Sequence, residues 1–149
     1  MNLLIDFTDY IFKRVIETAD EITPDILDWK PVKESNSTRW ILTHLTRIAY
    51  ILIPQVITGT HNPNGWDDDY EAQDHSLDEL RSDLKKAREN VLSLLGGLDK
   101  ENLNKDIIIW GSTRPLKEPI FVLLGELMHH KGQIDMLRGI RKRTEQLKQ

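Results

Sequence analysis

Leu77, Leu80, Leu84, Ala87, Val91, Leu94 and Leu98 recur every three or four residues, close to the 3.5-residue repeat that buries a helical seam against neighbouring helices. A strand alternates with period two and cannot present that set on one face, so this stretch must be a helix in need of partners. Its start is equally explicit. Ser76-Leu77-Asp78-Glu79 has the Ser-x-x-Glu spacing of a capping box, and Gly96-Gly97 stops or frays the other end.

Three further segments share the period. Leu4, Phe7, Ile11, Val15 and Ile22, widened by Ile5, Phe12 and Ile16, predict a first helix from Leu3 to about Ile22, ending before Pro24. Trp40, Ile41, His44, Leu45, Ile48, Ile51 and Leu52 predict a second. The N-cap candidates of Glu34-Ser35-Asn36-Ser37 open it, Pro54 kinks or ends it, and Gly59 lies well past its end. Pro119 suits the first turn of a last helix, which carries Ile120, Leu123, Leu124, Leu127, Ile134 and Leu137 into a basic tail from Arg138 to Lys148.

Four such stripes are buried only against one another, so the expected fold is an all-α four-helix bundle, a single domain over residues 1–149. Residues 23–31 form a connection with a helical turn at most, anchored by Trp29. Gly59 to His75 contains the turn signal Asn-Pro-Asn-Gly and the run Trp66-Asp67-Asp68-Asp69-Tyr70-Glu71. It is a long acidic loop, either a lid or a solvated connector. A second long connection, from Asp99 to Glu118, includes Ile107-Ile108-Ile109-Trp110, too short to tell a strand from a packed loop. Long connections therefore follow the second and third helices.

The chain has no cysteine, which excludes a disulfide framework, thiolate metal ligands and a thiol nucleophile of its own. Any thiol chemistry must arrive with a substrate. No uninterrupted apolar run approaches the ~20 residues of a membrane span, and Met1-Asn2-Leu3-Leu4-Ile5-Asp6 lacks the basic region and cleavage site of a secretory signal. A cytoplasmic protein away from membranes is expected. A net charge of −4 gives no general attraction to phosphate backbones, so nucleic acid is not the expected partner and the basic tail reads as a solvated helix end.

Glu126 and His130 stand four apart, on one face of the last helix, and His44 lies on the inward stripe of the second. A lone histidine on an apolar face is ordinarily a hydrogen-bonded core residue. Two of them on different helices, one with a carboxylate a turn away, each need a partner, and one divalent cation held by His44, Glu126 and His130 would satisfy all three. His129 points about 100° away from His130, as a supporting or surface residue. His61 and His75 read as solvated, and Trp66 and Tyr70 are candidate pocket-wall residues.

The motifs also carry a resemblance. Trp29-Lys30-Pro31, then Ser37-Thr38-Arg39-Trp40-Ile41-Leu42-Thr43-His44-Leu45, then His129-His130-Lys131-Gly132-Gln133-Ile134 resemble, in order and separation, the DinB/YfiT superfamily of metal-binding four-helix bundles. The resemblance covers nearly the whole chain. It implies His44 and His130 as metal ligands, with Glu126 where the family has a further histidine and Lys131 in place of the usual arginine. Two readings of Glu126 follow. A carboxylate with two histidines is a ligand set of catalytic zinc and non-haem iron sites, whereas a drifted site would pair Glu126 with a histidine or with Lys131 and hold no metal. Implied with the first reading are one divalent ion (zinc, nickel or iron), a low-molecular-weight thiol as cosubstrate, a small-molecule substrate, transferase or hydrolase activity, and a homodimer. The second implies a metal-free ligand-binding or dimerisation module.

Overall fold

The computed structural model describes residues 2–149, with side chains from Leu3 onward. Helix α1 spans Asn2–Glu21 and buries Leu4, Ile11, Phe12 and Val15 of the stripe that the periodicity marks, together with Ala19, whereas Phe7 of that stripe is exposed. Thr23 to Trp29 then turn back on themselves through short-range bonds such as Ile26 N–H to the Thr23 carbonyl. Trp29 packs partly buried against the core with the Arg141 guanidinium 5.4 Å from its ring.

Helix α2 runs from Thr38 to Thr58. Ser37 caps it by accepting the Trp40 N–H. Its middle turn, Ile48–Leu52, is a π-turn in which the Ile53 N–H reaches back to the Ile48 carbonyl. Pro54 follows immediately. Proline has no N–H to return to the preceding turn, and the wider turn absorbs that missing bond, so the helix continues where Pro54 suggested a kink or an end. Gly59, at φ 71°, is the left-handed C-cap itself and not a residue well past the end. By length and composition this helix could cross a membrane, but it is the core helix of the bundle, 61% buried.

Helix α3 spans Leu77–Gly96, opened by the expected reciprocal capping box of Ser76 and Glu79. A short helix, α4 (Lys100–Asn104), leads into a hairpin of β1 (Asp106–Ile109) and β2 (Ser112–Pro115), antiparallel with Ile109 opposite Ser112. The apolar run is thus a strand, and Ile109 alone of its isoleucines is buried. Trp110 and Gly111 make the two-residue turn, both at positive φ (52° and 73°), as a primed turn requires. Helix α5, Lys117–Leu147, completes the bundle and carries the basic tail.

Side-chain contacts fix the directions. Leu3 and Phe7 lie beside Phe121 while Glu21 pairs with Arg138, so α1 and α5 run parallel. Asp9 pairs with Arg88 and Arg81 donates to the Ala19 and Ile22 carbonyls, so α3 runs antiparallel to α1. The Arg39 N–H bonds the Leu27 carbonyl, which starts α2 at the end where α1 finishes. Helices α2 and α3 both therefore begin at that end, and residues 59–76 must travel back along the bundle, about 30 Å for a twenty-residue helix. Their length is a geometric necessity. Residues 97–116 join two helix ends on the same side and spend their length on α4 and the hairpin.

Candidate metal centre

His130 is the fixed point. It is 8% exposed, between α2 and α5. Its Nδ1–H donates to Gln133 Oε1 at 2.8 Å, one turn further along the same helix. A carbonyl oxygen only accepts, so Nδ1 carries the proton of the neutral ring and Nε2 is left with its lone pair. That Nε2 is buried without a hydrogen-bond partner. Among the described residues Thr38 Oγ1 and His61 Nδ1 share this condition, but only His130 has a second imidazole against it.

The second imidazole is His44, edge-on to His130 with ring centroids 4.7 Å apart. Glu126 Oε2 stands 3.3 Å from His130 Nε2, out of hydrogen-bond alignment. Two donors on one tetrahedral ion at ~2.1 Å are about 3.4 Å apart, so this spacing is that of two ligands as well as of a loose ion pair. The three side chains singled out in the sequence thus meet around His130. They do not form a closed set: among the described residues no group of three or more His, Asp or Glu side chains stands ready to hold an ion. Lys131 is spoken for by Asp135 at 2.5 Å, so it is not the partner of Glu126.

His44 is engaged by a residue that sequence reasoning missed. Its Nδ1 makes a close contact with Glu71, from the 59–76 connection. This is the carboxylate–histidine pairing that sets the tautomer and tilt of ligating histidines. The loop is held there by more than Glu71. Arg47, itself mostly buried, forks onto Asp68 at 2.9 and 3.0 Å and lies 3.8 Å from Glu71. Burial pushes the Asp68 carboxyl up, but the Arg47 fork and charge and the Tyr70 N–H outweigh it, leaving Asp68 below the ordinary carboxylate value. Tyr70 is buried, donates to Asp83 on α3 at 2.7 Å and stacks on His75. Burial first, and then Asp83, raise its phenol well above the usual range.

These contacts correct several expectations. His75 is not solvated but half-buried, its Nε2 bonded to the Tyr70 carbonyl, and His61 Nε2 bonds the Ile108 carbonyl of the hairpin. Tyr70 faces the bundle and Trp66 packs partly buried on the core. A cavity of about 400 Å³ is instead lined by residues that include Trp40, Thr43, Glu71 and Asp74, and it reaches His44 through Trp40 and Glu71. Trp40, half exposed, stacks on His44 with ring centroids 5.3 Å apart. Its helical register marked it as core. His129 is exposed, as its angle implied, and accepts from the Gln133 amide at 3.4 Å.

Comparison with known proteins agrees with this architecture. No curated protein matches the sequence. A DinB-like protein from Bacillus subtilis superposes with a TM-score of 0.72 at 19% identity, covering 93% of this chain and 91% of that one. A DinB-like protein from Bacillus cereus gives 0.72 at 17% identity, over 89% and 87%. A conserved protein from Enterococcus faecalis gives 0.66 at 18% identity, over 92% and 94%. At such identities these likenesses speak for the fold alone. The model of the DinB superfamily matches residues 9–134, from the middle of α1 to well inside α5, and the chain belongs to that superfamily.

Proposed function

We propose that His44, Glu126 and His130 hold one divalent transition-metal ion, and that the protein is a metal-dependent enzyme of transferase or hydrolase type. The observation that carries this reading is the buried, unpartnered Nε2 of His130, whose lone pair Gln133 fixes toward His44 and Glu126. An unsatisfied buried nitrogen costs roughly 1–3 kcal/mol, a cost that an ion at that position would remove. Glu126, on a flexible stem and about half exposed, closes on such an ion by a change of rotamer.

An ion in that position supplies Lewis-acid activation, lowering the proton affinity of a water or thiol brought to it. The residues around it do the rest. Gln133 and Glu71 hold the two imidazoles, and Trp40 screens His44 from solvent on one face. The neighbouring cavity of about 400 Å³, lined in part by Trp40 and Asp74, is of a size for a small molecule. The chain has no cysteine, so a thiol in this reaction would come from a cosubstrate, which the family resemblance implies is of low molecular weight.

Elemental analysis of untagged protein after reconstitution tests the proposal. About one equivalent of zinc, nickel or iron is expected, lost in His130→Ala and His44→Ala. Less than about a tenth of an equivalent, or an affinity unchanged in His44→Ala, overturns it.

The open ligand set favours a second reading, in which Glu71 has captured His44 and the bundle is a metal-free module. That reading expects chelator to leave the melting temperature unmoved.

A further inference from the structure

The cavity that reaches His44 has most of its donors spent and its acceptors free. Arg39, on its wall, gives Nε and Nη2 to the Asp28 carboxylate and Nη1 to the His75 carbonyl. The Thr43 hydroxyl goes to the Arg39 carbonyl, His75 Nε2–H to the Tyr70 carbonyl and one amide proton of Gln73 to Asp69. The donors left over are neutral: the second Gln73 amide proton, the Ser37 hydroxyl and the Trp40 indole N–H.

The acceptors are charged. Glu71 spends Oε1 on His44 Nδ1, with Arg47 at 3.8 Å, and leaves Oε2 open. Asp74 is exposed, and among the described residues its carboxylate has neither a hydrogen bond nor an ion pair. It acts on Arg39 only at a distance, behind Asp28. Asp74 also lines a second cavity, of about 300 Å³, where the other carboxylates are taken: Glu79 accepts the Ser76 N–H and Asp83 the Tyr70 hydroxyl. That second cavity carries a cation, Lys86, whereas the first has only Arg39, already neutralised by Asp28.

Trp40 adds an aromatic wall. One face of its ring lies on His44, and the residue is 48% exposed, so the other face is open. Such a face attracts a cation through its quadrupole, and a cleft lined by one sign of charge concentrates the opposite ion. An anion would meet two carboxylates and no free cation. A neutral molecule of the same shape would leave Asp74 unanswered. A volume of about 400 Å³ suits a small molecule and excludes a folded partner.

We infer that this cavity binds a small organic cation, a protonated primary amine, with its ammonium group on Asp74 and its apolar part along Trp40. Binding at this cavity needs no metal. That the bound amine is the substrate, led by Trp40 and Glu71 toward His44, rests on the metal-dependent reading above.

The probe is pentylammonium, charged at neutral pH, titrated into the metal-free full chain and followed in proton–nitrogen NMR spectra. Pentanol and pentanoate are its neutral and anionic counterparts. Saturable shifts of the Trp40 indole N–H and the Asp74 amide are expected, with a dissociation constant of about 1 mM, reasonable for so small a molecule. Pentanol and pentanoate should bind at least about tenfold more weakly, since neither offers a charged donor to a carboxylate. Asp74→Asn keeps the shape of an exposed side chain and is expected to weaken pentylammonium about three- to tenfold while leaving pentanol unchanged. Trp40→Leu is expected to weaken it about two- to fivefold. Pentanol or pentanoate binding as tightly as the amine, no saturable shift up to about 20 mM, or an affinity unchanged in Asp74→Asn each overturns the inference. Metal uptake is read separately: a chain that binds the amine but no metal keeps this site and loses the enzymatic reading, and one that binds metal but no amine does the reverse.

Discussion

At the scale of single residues, the candidate centre depends on which nitrogen of His130 keeps its lone pair. Gln133 decides this by accepting the Nδ1 proton. Gln133→Leu removes the acceptor, frees the ring to exchange tautomers and is expected to lower metal affinity about 10- to 100-fold, while Gln133→Glu keeps an acceptor and most of the affinity. Competition with a chromophoric chelator measures both, and a change under about twofold in the leucine variant would contradict the role. His44, Glu126 and His130 were legible in the sequence because helical spacing alone places Glu126 over His130 and His44 on an inward stripe. The Gln133 contact was not read from the sequence, although the spacing of three residues on a helix from His130 was a signal that could have found it. Glu71 was not legible. Nothing in the run Asp67-Asp68-Asp69-Tyr70-Glu71 tells which carboxylate turns inward, because an irregular segment has no period from which to read a direction.

Among elements, the 59–76 connection is the least ordinary. It brings Glu71 to His44 because it must return along the bundle, and the Arg47–Asp68 pair holds it there. Asp68→Asn leaves a mostly buried guanidinium without its partner charge and is expected to cost roughly 2–3 kcal/mol at neutral pH, somewhat less than a fully buried pair. The pH dependence has a definite sign. The folded-state pKa of Asp68 lies below its unfolded value near ~4, so the stabilisation is complete above that value and is lost as pH falls through the folded one. Urea midpoints of the two proteins should converge in that acid window. A gap that persists undiminished there would exclude Asp68 as the source. Ser76→Ala removes one half of the capping box of α3 and is expected to cost about 1 kcal/mol by the same measurement. Capped, periodic helices such as α3 were readable to the residue. The passage of α2 through Pro54 was not, because the π-turn that absorbs it depends on packing around Ile48–Leu52. The hairpin turn was hidden for another reason: Trp110 occupies a left-handed position that asparagine or glycine would have announced.

The whole molecule joins metal and stability by mass action. If the folded bundle alone binds the ion, free metal at a hundred times its dissociation constant adds about 2.7 kcal/mol, or roughly 5–10 °C in melting temperature for a domain of this length. Calorimetry with and without chelator should show that rise in the unaltered protein and lose it in His130→Ala. The order of helices and the length of the crossing connection make this geometry possible, by setting His44 of one downward helix against His130 of an upward one. The most direct measurement is an anomalous diffraction map from crystals loaded with a single transition metal. The account expects one peak about 2.0–2.1 Å from His130 Nε2, shared with His44 and Glu126. An empty map at that nitrogen, or a peak bound elsewhere with His130 still paired only to Gln133, would contradict it.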